Sequence, residues 1–131
     1  MAYQVKWLVE NRIVHVLNTG VANADDIVNS MREAIALLDS GEPPVHMLVE
    51  SQTEGSDISL SDLLTIIRNN PKSSNIGWAV FVSENKMNRF FGSMGTQISG
   101  IQTKTFPTMV EAIAFLKRAD ITLPEHLSLP E

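Results

Sequence analysis

Residues 46–64, HMLVESQTEGSDISLSDLL, run from an apolar segment through a burst of hydroxyls and carboxylates into a helical pattern. Ser51, Thr53, Ser56, Asp57 and Ser59 are the candidates there for contacting a ligand or partner. A loop between a strand's carboxyl end and a helix's amino end collects ligands in open α/β sheets, because unpaired backbone N–H groups point outward. Glu50, Glu54 and Asp57 oppose an anion at this place by charge. The plainer reading is a solvated loop whose hydroxyls cap the helix. A nucleophilic serine needs a base with an orienting partner. The spacing brings no histidine to these hydroxyls, so no catalytic residue is assigned.

His15 and His46 fall inside expected strands, and His126 falls in the tail. No two share a metal-ligand spacing such as H-x-x-x-H, so neither a metal nor a cofactor is expected. A buried histidine with a local hydrogen bond is the simpler reading of each strand position. If their strands are neighbours, His15 and His46 approach one another across the sheet. Trp7 and Trp78 read as core or sheet-face aromatics, with Trp7 the alternative anchor of a homodimer. Met87, Phe90, Phe91 and Met94 form a soft apolar stripe. It reads either as core or as a lid over a small apolar ligand or a protein partner, since Met and Phe adapt to varied surfaces. Gly92-Ser93-Met94-Gly95 lacks the G-K-[ST] ending of a phosphate loop.

The chain that positions these residues has 131 residues, 44% apolar and 19% charged, a globular composition for a single domain. The absence of cysteine excludes disulfides, thiol catalysis and thiolate metal sites. A net charge of −5 with no basic run argues against nucleic acid as a partner. No apolar run approaches the roughly 20 residues of a membrane span. The opening MAYQVKWLVE alternates and carries Lys6, unlike a signal peptide. These features lead to the expectation of a cytoplasmic protein with no membrane insertion.

Tyr3 to Val9 alternates with period two, and Arg12 to Leu17 is β-branched and apolar. Glu10-Asn11 between them suits a tight hairpin, because Asn tolerates positive φ. Asn23, Asp25 and Asp26 open a helix whose stripe is Ile27, Met31, Ala34, Ile35 and Leu38. Gly41 and Pro43-Pro44 stop it. Val45 to Val49 and Ile76 to Val82 are continuous apolar runs, as in strands buried on both faces. Ser59 with Asp62 begins a second helix carrying Leu60, Leu63, Leu64 and Ile67. A third follows Ser83. Ile101 to Thr105 alternates as a half-exposed strand. Thr108 and Glu111 form a capping box for a last helix with Met109, Ala112, Ile113 and Leu116 inside. The expected fold is α/β, a mixed and mostly parallel five-stranded sheet with an N-terminal β-hairpin and about four helices. The domain is drawn over residues 1–119, with an extended tail over 120–131.

WAVFVSENKMNRFF (78–91) followed by KTFPTMVEAIAFL (104–116) resembles the small stand-alone SpoIIAA-like proteins, mostly bacterial, within the STAS-like domains. Their strand "shaVFV" leads through a helix and a strand to F-x-x-x-x-E-A-x-x-W-L. Phe106, Glu111, Ala112, Phe115 and Leu116 fall on that pattern, with Phe115 where Trp is common. The order of elements covers nearly the whole chain and the residue match mainly 78–116. The resemblance implies a non-enzymatic binding or regulatory domain docking a protein partner beside the 51–59 loop. It also implies an alternative, a phosphorylation-controlled switch, whose acceptor serine lies in a D-S-S-G-like turn. That motif is absent here, and Gly55-Ser56-Asp57 is its faint echo, leaving Ser56 as the phosphoacceptor candidate. A small hydrolase using a Ser/His site at strand carboxyl ends is the further alternative.

Overall fold

Alternation at the amino terminus produces a hairpin. Strands β1 (Tyr3–Val9) and β2 (Ile13–Asn18) pair antiparallel, with Lys6 opposite His15 and Trp7 opposite Val14. Asn11 closes the turn at φ 67°, a left-handed conformation that Asn adopts more readily than most residues. β2 then runs parallel to β3 (Val45–Ser51), β3 to β4 (Ile76–Val82), and β4 to β5 (Gln102–Phe106). The result is one five-stranded sheet in the order β1-β2-β3-β4-β5. The computed structural model describes residues 3–18, 24–51, 75–83 and 102–123. The two helices expected near 59–70 and 84–95 lie outside these residues, so the described helices are α1 (Ala24–Ser40) and α2 (Met109–Ala119).

Side chains alternate between the two faces of a strand, so each face has its own core. On one face α1 buries Ala34 and Leu38 against Val14, Val16 and Val45, with Trp7 partly buried beside them. On the other face α2 buries Ala112, Ile113 and Leu116 against Ile13, Leu48, Val80 and Val82. Leu116 is fully enclosed, and burying a side chain of that size contributes about 2 kcal/mol. Phe115 sits edge-on to Trp78, ring centroids 5.0 Å apart, and lies 5.5 Å from Phe106. The pattern residue Phe115 therefore touches both Phe106 on β5 and Trp78 on β4, the strand that carries the other half of the motif.

Both helix ends show the sequence signals at work. The Thr108 hydroxyl accepts from the Glu111 N–H, which satisfies one of the free donors of the first turn of α2. Beyond α1, the backbone of Gly41 passes so close to the hairpin that a Cβ there would lie 2.7 Å from the Asn11 carbonyl oxygen. Asn75, just before β4, donates its side-chain amide to the carbonyls of Leu38 and Asp39 at the end of α1. The amino ends of β2, β3 and β4 are thus laced to the end of a helix.

Candidate functional site

Two polar constellations sit on the sheet face that α2 covers. The first lies at the amino ends of the parallel strands. Arg12 precedes β2, His46 is the second residue of β3, and Asp120 follows α2. Asp120 Oδ2 accepts from Arg12 Nη2 at 2.8 Å and from His46 Nε2 at 2.8 Å. Its Oδ1 accepts from the Thr122 N–H at 3.0 Å and from the Thr122 hydroxyl. That hydroxyl in turn accepts from Arg12 Nη2 at 2.7 Å. The Trp78 N–H donates to His46 Nδ1 at 3.1 Å, so Nδ1 must carry the lone pair and Nε2 the proton. Both ring nitrogens of His46 are therefore engaged, and the imidazole is neutral. Arg12 supplies the positive charge that matches Asp120.

Burial alone would raise the pKa of Asp120. The bonds from Thr122 and His46 and the charge of Arg12 outweigh it and bring the carboxyl down to about 2. The ring of His46 is packed from beneath by the bare backbone of Gly77, where a Cβ would lie 2.8 Å from Cε1 and Nδ1. This group joins the start of β2, the start of β3 and the end of α2. Leu123, buried in the same core, continues the docking past the helix.

The second constellation crosses the sheet toward the carboxyl ends. His15 on β2 is 2% exposed, and its Nε2 lies 3.1 Å from Glu50 Oε1 on β3. Lys6 stands directly opposite His15 on β1 with its side chain exposed. Burial holds the His15 imidazole below its ordinary pKa, the Glu50 carboxylate offsets part of that, and the charge of Lys6 adds to the lowering. His15 Nδ1 is enclosed and has no hydrogen-bond partner among the described residues.

His15 and His46 do stand on neighbouring strands and on one face, since Ile13 is opposite His46 and His15 opposite Leu48. Each nevertheless bonds a carboxylate rather than the other. Among the described residues no three His, Asp or Glu side chains converge as a metal-ligand set. Neither described histidine bonds a serine hydroxyl. Ser51 ends β3. Thr53, Ser56, Asp57, Ser59, Met87, Phe90, Phe91 and Met94 lie outside the described residues, as does His126. Arg12 and Asp120 are site residues that the sequence expectations above do not include, because Arg12, His46 and Asp120 are remote from one another in the chain. No described helix is long and apolar enough to cross a membrane.

A mixed five-stranded sheet opened by a hairpin, with α1 on one face and α2 on the other, defines a SpoIIAA-like α/β fold. A solved structure from Shewanella loihica PV-4 superposes on it with a TM-score of 0.60 at 12% identity, covering 88% of this chain and 92% of that one. That protein is described as an uncharacterized member of the DUF3478 family with a SpoIIAA-like fold. No family model matches the chain. No curated protein matches it.

Proposed function

We propose that this chain is a non-enzymatic SpoIIAA-like domain that acts by binding. Its occupant is a protein partner beside residues 51–59 or a small apolar molecule at the Met87, Phe90, Phe91 and Met94 stripe. The observation that carries this reading is the use made of the densest acid–base group among the described residues. Arg12, His46 and Asp120 saturate one another and the Trp78 backbone, so they hold strands to a helix and leave no lone pair for a substrate. A scaffold stiffened in this way presents surfaces rather than a reaction centre.

Native mass spectrometry and light scattering on the full chain, purified without denaturant, test the reading. A second copy, or a bound apolar molecule displaced by Met87→Asp, is the expected result. A strict monomer with no added mass refutes it. So does saturable turnover of p-nitrophenyl acetate that His15→Gln abolishes, which would restore the hydrolase.

A further inference from the structure

A helix that buries one stripe ordinarily turns a polar face to water, and α2 departs from that rule. Ala112, Ile113 and Leu116 are buried against the sheet. On the outward side Val110 is 63% exposed, Ala114 is exposed, and Ile121, just past the helix end, is 90% exposed. Val110 and Ile121 are the exposed large apolar side chains among the described residues. Ile121 is also held on a fixed backbone. Asp120 before it bonds Arg12 and His46, and the Thr122 N–H after it donates to Asp120.

The charges beside this stripe are ordered. Glu111 lies in the first turn of α2, and Lys117 and Arg118 lie in the last. At about 100° and 1.5 Å per residue, Ala114 falls in the middle of the outward face. Glu111 and Arg118 flank it on one side, about 4.5 Å before and 6 Å after it along the axis. Val110 and Lys117 flank it on the other side, about 6 Å before and 4.5 Å after. A two-fold axis through Ala114 maps this pattern onto its own complement. A second α2 then lies alongside, antiparallel, with Ala114 against Ala114. Glu111 of each copy meets Arg118 of the other, and Val110 of each lies along the aliphatic stem of Lys117 of the other. Ile121 reaches toward exposed Pro107 of the second copy.

We propose that the outward face of α2 is a self-association surface, on which two copies of this chain pair antiparallel about a two-fold axis through Ala114. Such an interface is isologous, the commonest kind among homo-oligomers. One helix face buries less than the roughly 1,200 Å² of a standard interface. The dimer is therefore weak and in exchange, with a dissociation constant of about 0.1–1 mM. The surface shares no residue with the 51–59 loop or the Met87 stripe, so this proposal and the binding reading above fail separately.

Sedimentation equilibrium of the full chain over about 0.05–1 mM tests it. Wild type is expected to dimerise across that range. Glu111→Lys and Arg118→Glu each turn both attractive contacts into repulsive ones, and each alone is expected to weaken the dimer at least about tenfold. Mixed in equal amounts, the two variants restore an opposite-charge pair at both contacts and associate with the wild-type affinity. Both side chains are exposed, and Glu111→Lys keeps the backbone N–H that Thr108 accepts, so folding is not at stake. The chain has no cysteine, so Ala114→Cys places a single thiol at the axis. Oxidised glutathione is expected to link that variant into a dimer faster than Arg32→Cys, on an exposed position of α1. A wild-type monomer at the top of the range overturns the proposal and leaves a different protein as the occupant of this face. So does a mixture that stays monomeric, or an Ala114→Cys no faster than Arg32→Cys. A dimer that both charge variants leave intact upholds the binding reading and overturns this face.

Discussion

Replacing Asp120 by Ala removes the one group that satisfies Arg12, His46 and Thr122 together. Two contributions set the size of the effect. The carboxyl, lowered from 3.8 to about 2, stabilises the native state by about 2 kcal/mol at neutral pH. The variant also leaves the His46 Nε2–H buried with no acceptor, which adds about 1 kcal/mol or more. Urea titration at pH 7 is therefore expected to show Asp120→Ala less stable by about 3 kcal/mol, or a melting point lower by about 10 °C. Asp120→Asn keeps an acceptor for His46 and loses the charge, so it falls between. The pH dependence separates the two contributions. A depressed carboxylate contributes fully above its unfolded pKa and loses that contribution as pH falls through its folded one. The gap between wild type and Asp120→Asn is thus expected to narrow from about pH 4 down to about pH 2. A loss below about 0.5 kcal/mol in Asp120→Ala, the range of an ordinary surface change, would refute the reasoning. A gap independent of pH would refute the charge contribution.

Gly77→Ala forces a Cβ against the His46 ring at 2.8 Å, and overpacking of this kind is expected to lower stability by about 1–3 kcal/mol in urea. At Asn11, with φ 67°, Gly is expected to be tolerated, while Val is expected to cost more than about 1 kcal/mol and to lower the melting temperature. Because burial lowers the His15 pKa from 6.5, the unfolded chain binds the proton better, and stability is expected to fall as pH drops below 6.5. Urea midpoints between neutral pH and about pH 5 are expected to show that slope in wild type and a shallower one in His15→Gln.

Local signals are what the chain displays openly. The hairpin was readable from period-two alternation and from an Asn placed where the backbone turns left-handed. The last helix was readable from Thr108 and from an apolar stripe whose members Ala112, Ile113 and Leu116 are all buried. The continuous apolar runs at 45–49 and 76–82 became neighbouring inner strands, because only a sheet clothed on both faces needs such runs. The strand expected at Ile101 to Thr105 is described over Gln102–Phe106, one residue further at its carboxyl end, with residue 101 outside the described residues.

The polar groups were legible only as residues, not as pairs. His15 and His46 announced themselves as histidines inside strands. Which carboxylate each would meet depends on parallel register, and no tight turn fixes that in advance. His46 and Asp120 are 74 positions apart, and Arg12 and Asp120 are 108 apart, so spacing rules have no purchase on them. One local signal does mark Asp120. Asp120 followed by Thr122, just past a helix end, is the pattern of a side chain that bonds the backbone two residues on, and the structure makes that bond at 3.0 Å.

The span between Arg12 and Asp120 also sets an order of events during synthesis. A ribosome adding about 5–20 residues per second delivers the aspartate roughly 5–20 s after the arginine. The hairpin and the three strands after it are all made before the residue that locks their lower rim. The guanidinium waits for its acceptor throughout that interval, and the imidazole N–H waits for the last 74 residues of it. A nascent chain that stalls short of Asp120 would therefore be released with its sheet open at its base, a form that quality-control proteases are equipped to find.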